Sequence, residues 1–194
     1  MFQKKVLPGE PGHLDYAKKA EMIKFFISLA LVIAIFLIGF ITTGSRKNWF
    51  TLIAVLGCLP MARYAVNWIA RLPYSSINKT FASEVIDRSG SLPVIFDFVF
   101  TNKEKNHPVE CIAISDNTLC GFSSNPKTDL QKAEEYLAKD LHEQGFKKIT
   151  VKIFKDKNVF LDRIAEMAEH YSCTDEKQSS KEERIASTLF SISL

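Results

Sequence analysis

Two long apolar runs occupy the first third of the chain, and a short polar segment separates them. The first run, residues 25–42, carries no charge, and extending it to residues 23–43 brings it to about the 20 residues that a membrane-spanning helix needs. The second run, residues 49–70, is bracketed by Trp49 and Trp68, as interfacial aromatic residues bracket a span. The pattern predicts a transmembrane hairpin over residues 22–72, with spans at about 23–43 and 49–70, preceded by a polar tail over residues 1–21.

Polar residues interrupt the second span near its end. Arg63 and Asn67 are one helical turn apart and therefore share a face. One interpretation is an arginine that snorkels to the interface beside an interfacial asparagine. The other is a polar seam that joins the hairpin or an oligomer, or that lines a pathway. Pro60 predicts a kink in the same helix.

After residue 72 the spacing of apolar residues becomes that of a folded domain. Residues 76–88 carry a helical apolar stripe and predict a connecting helix within residues 73–90. A buried strand over residues 94–101 and a polar loop over residues 102–108 precede two strands, residues 109–115 and 118–124, which flank the two-residue turn Asp116-Asn117. A helix ending at Gly145, a strand over residues 149–154, a helix over residues 158–171 and a last helix that begins at the Ser180–Glu183 capping box follow. The fold class predicted for residues 91–194 is therefore α/β, in the order α-βββ-α-β-α-α when the connecting helix is included, with a mixed sheet flanked by helices.

The net charge changes sign along the chain. Residues 1–90 carry a net charge of +6, and residues 91–194 carry a net charge of −3. The basic flanks of the hairpin suit the head groups of a lipid bilayer, whereas an acidic domain is a poor match for nucleic acid, which is not expected as a partner. Lys and Arg are more frequent before the first span and after the second than in the turn between them. The positive-inside rule therefore predicts a multi-pass protein of a bacterial-type inner membrane, with both termini and the domain in the cytoplasm.

Cysteine and histidine spacing predicts neither a metal site nor a cofactor. The four cysteines contain no CxxC pair and no histidine at ligand spacing, which predicts free thiols in a reducing compartment. His107, His142 and His170 have no spacing typical of a metal site or a catalytic triad, and are predicted to be surface residues.

The strand pair around residues 108–125 resembles the nuclease-related domain (NERD) family, whose fold is of the restriction-endonuclease type. The resemblance covers roughly residues 91–157. In that family a Glu-Asp pair opens one strand and a Glu-x-Lys closes the next. Here the metal-binding Asp falls on Cys111 and the Glu-x-Lys falls on Phe122-Ser123-Ser124, so that only Glu110 is retained. The resemblance implies a nuclease scaffold without its catalytic groups, because neither Phe nor Ser supplies the missing carboxylate or ammonium.

Two further groups of residues are candidates for chemistry or binding. Asp97 interrupts an apolar strand and, with Glu110, would form a displaced carboxylate pair; the alternative is a strand-edge carboxylate bonded to the backbone. Lys147, Lys148 and Lys152 belong to a basic cluster that would contact lipid head groups or a phosphorylated partner, unless it is a solvated strand face.

The sequence favours a non-enzymatic, membrane-tethered interaction or assembly module whose partner is a second copy of the chain or another protein. The reason for this prediction is that the domain has regular hydrophobic periodicity but lacks the side chains that catalysis would need. One alternative is a membrane-anchored, metal-dependent hydrolase with a displaced site at Asp97 and Glu110. The other is a channel or transport accessory subunit that uses Pro60, Arg63 and Asn67.

Overall fold

The computed structural model describes residues 6–44, 48–101, 105–126, 128–146, 148–171 and 176–193. The chain divides into two compact units. The hairpin unit contains residues 14–75, and the α/β unit combines the residues up to 13 with those from 76 onward. The α/β unit is therefore discontinuous in sequence, because the hairpin unit is inserted into it.

The hairpin unit consists of two long helices, α1 (His13–Thr43) and α2 (Trp49–Arg71). Both are long and apolar enough to cross a membrane, as the hydrophobic pattern predicts. α2 begins at the N-cap Asn48, whose side chain accepts a hydrogen bond from the backbone N–H of Thr51 and donates one to the carbonyl of Gly39 at 2.9 Å. Asn48 is thus bonded to the end of α1 as well as to the start of α2.

Close contacts pair the two helices along their length. A Cβ atom at Gly39 would collide with the Cβ atom of Phe50, so only glycine allows this approach. At the other end of the hairpin, the rings of Phe25 and Trp68 stack with centroids 6.2 Å apart. The helices are therefore antiparallel neighbours, and most of their large apolar side chains are exposed.

Among its described residues, the α/β unit contains four helices and one four-stranded mixed sheet, which confirms the predicted fold class. Its elements in chain order are α3 (Lys79–Ser89), β1 (Val94–Thr101), β2 (Asn106–Ser115), β3 (Thr118–Phe122), α4 (Leu130–Glu143), β4 (Thr150–Phe154), α5 (Lys157–Glu169) and α6 (Glu176–Ile192). The strands lie in the order β1-β2-β3-β4; the first two pairings are antiparallel and the last is parallel.

Each face of the sheet is covered by a pair of helices, because side chains alternate between the faces along each strand. On one face, α3 and α5 bury Phe81, Val85 and Phe160 against the strands. On the other, α4 and α6 bury Leu137 and Leu189. The helix predicted within residues 73–90 is thus part of the core of the α/β unit.

Several boundaries differ from the sequence-based expectation, and three of them change how a segment is assigned. α1 begins at His13, within the segment predicted as a tail, and residues 6–12 belong to the α/β unit. β2 begins at Asn106 and not after a loop that reaches residue 108. α6 begins at Glu176, so Ser180 lies inside the helix and not at a capping box; Glu176, Lys177 and Gln178 are good helix formers that extend it upstream.

Both outer strands have backbone groups bonded from outside the sheet. On β1, the N–H of Phe96 donates to the carbonyl of Gly9 at 2.9 Å, and Phe100 forms an isolated bridge with Ser193. On β4, the N–H of Ile153 donates to the carboxylate of Glu134 at 2.8 Å. These contacts protect the edges from pairing with another chain.

The Gly39 contact predicts that a larger side chain separates the two hairpin helices. We expect Gly39→Leu to destabilise the hairpin by about 1–3 kcal/mol, because overpacking forces the helices apart. An SDS titration of the purified protein in mixed micelles, followed by tryptophan fluorescence, measures the loss, since Trp68 stacks across the hairpin.

Ala34→Leu provides the matched control, because Ala34 is exposed on α1. Equal unfolding midpoints for the two variants would contradict the close approach at Gly39.

Candidate functional site

Asp97 is a buried carboxylate in the middle of β1, with only 5% of its surface exposed. Its Oδ2 accepts a hydrogen bond from the N–H of Gly12 at 2.8 Å, and its Oδ1 accepts one from the N–H of Ile77 at 2.8 Å. Hydrogen bonds to a charged acceptor are the stronger kind, and they offset the cost of burying the charge. Of the two interpretations from the sequence, the structure places Asp97 as an edge-strand carboxylate bonded to the backbone.

The backbone at Asp97 breaks the regular alternation of β1. Its φ of 56° lies in the left-handed region, which non-glycine residues seldom adopt but which Asp tolerates better than most. Ile95 and Phe98 consequently face α4 and α6, while Phe96 faces α3 and α5. This irregularity allows a polar side chain in an apolar strand to reach donors beyond the sheet.

Glu110 lies opposite Asp97, because the ladder pairs Phe96 with Cys111 and Phe98 with Val109 on either side of them. Its carboxylate, however, is bonded elsewhere: Oε1 accepts hydrogen bonds from both the N–H and the hydroxyl of Ser124. The two acids that the sequence singles out are thus neighbours in the register, but each holds a different segment of backbone. Within the part of the chain that the structure describes, no three His, Cys, Asp or Glu residues are grouped as metal ligands.

The positions that the NERD resemblance assigns to metal ligands lie in an apolar layer. Cys111 pairs directly with Phe122 across β2 and β3, and both side chains are buried. The Phe122 ring contacts those of Phe81 and Phe160, with centroids 4.9 and 5.4 Å away. This arrangement packs a core; it offers a cation no hard oxygen ligand at these positions.

The two buried cysteines of the sheet are poor nucleophiles. Burial, followed by the negative charge of Glu110, raises the pKa of Cys111 well above its usual range. Burial raises the pKa of Cys120 to about 12, although Arg163 acts in the opposite direction. Both thiols stay protonated near neutral pH, and a protonated thiol neither attacks nor binds metal readily.

His107 is buried, with 4% of its surface exposed, so the expectation that it lies on the surface is wrong. Its ring stacks on Phe100 with centroids 5.0 Å apart and lies 6.3 Å from the ring of Tyr136. The sequence Asn-His-Pro is typical of a loop, but here it begins β2, which turns the imidazole into the core. His142 and His170 are exposed, as predicted.

Two of the three lysines named in the predicted basic cluster lie among the described residues. Lys147 lies outside the described residues, and Lys148 and Lys152 are exposed. Lys152 forms an ion pair with Glu134 at 3.4 Å, while the same carboxylate accepts the N–H of Ile153. An exposed ion pair of this kind contributes little to stability, but it neutralises part of the cluster.

The polar pair of the second span lies along α2 as the helical spacing predicts. Arg63 is exposed, and Asn67 is partly covered. The carbonyl of Asn67 accepts a hydrogen bond from Nη1 of Arg71 at 3.4 Å. A role for Arg63 and Asn67 in a seam or pathway stays a prediction.

Comparison of the chain with known protein families, with curated proteins and with solved structures finds no match. The NERD resemblance therefore stays a prediction. The contacts of Asp97, Glu110 and Cys111 are what the proposals below depend on.

Several residues that hold this region together carry no local sequence signal. Gly12 and Ile77 use only their backbone N–H groups, which every residue except proline has. Glu182 is buried on α6 and accepts hydrogen bonds from the N–H of Asp116 and the hydroxyl of Tyr171. For Glu182 the helical spacing does offer a signal. Ile185 and Leu189 follow it at intervals of three and four, which places Glu182 on the buried side of α6.

The buried imidazole of His107 predicts a loss of stability at acidic pH. Burial lowers the pKa of His107 below its ordinary value of 6.5, with the charge of Asp129 opposing the effect. The unfolded chain therefore takes up the proton first, and the free energy of unfolding falls as the pH drops from about 6.5 to the lowered pKa. Urea titrations of the detergent-solubilised protein at pH 7.5 and 5.5 measure this loss.

His107→Phe should reduce the difference between the two pH values, because the ring is kept and the titration is removed. His142→Gln, at an exposed position, should leave it unchanged. The same pH dependence in His107→Phe and in the parent protein would contradict the assignment.

Proposed function

We propose that this chain is a non-enzymatic interaction or assembly module that the hairpin tethers to a membrane. The observation that carries the proposal is the pairing of Cys111 with Phe122 in an apolar layer, at the two sheet positions where a nuclease of the resembling family holds its metal. We include in the proposal that the α/β unit, whose elements from α3 onward follow the order α-βββ-α-β-α-α, is a nuclease-like scaffold without the catalytic groups.

The surroundings of the pair support this role. A charged ligand placed among Phe81, Phe122 and Phe160 would lose its hydration without gaining partners. The retained acid, Glu110, is already bonded to the N–H and hydroxyl of Ser124. A fold of this class with its reactive positions filled by core residues retains its surface for binding.

The two alternatives have less support. A displaced hydrolase needs the carboxylates of Asp97 and Glu110 to be available to a metal, but backbone N–H groups occupy both oxygens of Asp97. A channel needs polar residues that face a pathway, and Arg63 is exposed on a helix whose outer side chains are otherwise apolar.

We place the protein in a bacterial-type inner membrane with both termini and the α/β unit in the cytoplasm. The excess of Lys and Arg on the flanks of the hairpin supports this orientation. The buried, protonated thiols of Cys111 and Cys120 suit a reducing compartment.

Site-directed cross-linking tests the interaction role and the orientation together. Ile86 on α3 and Lys139 on α4 are exposed, and their helices cover opposite faces of the sheet. Ile86→Cys and Lys139→Cys, each in a background with Cys58 and Cys173 replaced by serine, are treated with a membrane-impermeant photoreactive maleimide. We expect labelling in inside-out membrane vesicles but not in right-side-out ones, and a discrete cross-linked species from at least one position.

The background protein without an added cysteine is the control, since its remaining thiols, Cys111 and Cys120, are buried. Labelling confined to right-side-out vesicles would overturn the orientation. Labelled protein that gives no discrete adduct from either position would overturn the interaction role.

A further inference from the structure

The chain leaves the α/β unit just after Gly12 and returns to it just before Ile77, with the whole hairpin unit between. The N–H groups of these two residues donate to the two oxygens of one carboxylate, that of Asp97. A single buried side chain thus binds the segment before the hairpin and the segment after it. Both contacts lie within the α/β unit.

We propose that Asp97 is a latch that makes residues 6–12 and residues 76–78 one cooperative element on β1, so that release of either segment releases both. This inference goes beyond the proposed interaction role and does not depend on it. It assigns to the fold a conformational device that controls access to the outer edge of β1.

The cooperativity follows from the burial of the charge. Each N–H compensates part of the hydration that the Asp97 carboxylate loses on burial. When one donor is withdrawn, less of that loss is offset, and water reaching the carboxylate competes with the second donor. The left-handed backbone at Asp97 adds to the effect, because a conformation of this kind persists only where the surroundings hold it.

The latch keeps an ordered segment over the edge of β1. The carbonyl of Gly9 accepts the N–H of Phe96, and the ring of Phe190 on α6 lies against Gly9. Within the segment, the N–H of Leu7 donates to the carboxylate of Glu10 at 2.8 Å. Release of residues 6–12 therefore frees the N–H of Phe96 and exposes the strand edge to pairing.

Gly12→Ala tests the coupling from one side. Gly12 has a φ of +93°, so alanine strains the backbone there, yet its Cβ would meet no atom within 4 Å. Gly145→Ala is a matched control, because Gly145 has a φ of +96° and equally open surroundings but lies between α4 and β4. Hydrogen–deuterium exchange of the full-length protein in lipid nanodiscs is read by mass spectrometry in the peptides that cover residues 6–12 and 76–78.

We expect Gly12→Ala to accelerate exchange in both peptides by about tenfold or more, the change typical of losing a hydrogen bond to a charged group. Gly145→Ala should leave both unchanged. Acceleration confined to residues 6–12, or no acceleration in either peptide, would overturn the latch. Acceleration that extends to β3 and α4 would also overturn it, because the whole unit would then be opening.

Asp97→Asn provides a second route to the same answer without altering either glycine. Asparagine keeps the size of the side chain and tolerates a positive φ, but its single oxygen replaces two charged acceptors. We expect both peptides to lose protection from hydrogen exchange together in this variant. Loss of protection in only one of them would contradict the coupling, whichever segment is released.

Discussion

A buried carboxylate needs hydrogen-bond donors, and in this protein the donors to Asp97 come from both sides of an inserted hairpin. Gly12 and Ile77 are distant in sequence, and their N–H groups meet at one side chain of β1. The α/β unit is discontinuous, so its first segment has to be held in place by contacts of this kind. The carboxylate is the point within the α/β unit at which the segments before and after the hairpin meet.

The same pair of strands holds both acids that the sequence marks as candidates for chemistry. Asp97 and Glu110 face each other in the register, as a pair of catalytic acids would. Asp97, however, accepts two backbone N–H groups, and Glu110 accepts the N–H and the hydroxyl of Ser124. The neighbouring Cys111 and Phe122 complete an apolar layer. The two acids that the sequence marks as candidates for chemistry thus hold segments of the chain together.

Hydrophobic periodicity predicts the parts of this fold that depend on it: the two long helices, the α/β class and the two-residue turn at Asp116 and Asn117. The sequence also marks Asp97 and Glu110, because an acid in an apolar strand is conspicuous. Their partners are not predictable, since Gly12, Ile77 and the N–H of Ser124 act through backbone groups that leave no pattern. The burial of His107 is missed for a related reason. The short polar sequence around it is typical of a loop, but it pairs with β1 and so becomes part of β2, and this pairing cannot be predicted from local sequence.

The free energy of unfolding of the α/β unit in Asp97→Asn, compared with Glu110→Gln, tests the central role of Asp97 most directly. Both changes neutralise a carboxylate in the same pair of strands, but only the first withdraws charged acceptors from two donors on opposite sides of the hairpin. We predict a loss of about 2–3 kcal/mol for Asp97→Asn and of at most about 1 kcal/mol for Glu110→Gln, measured by urea titration of the full-length protein in detergent. Equal losses in the two variants, or no loss in Asp97→Asn, would contradict the account.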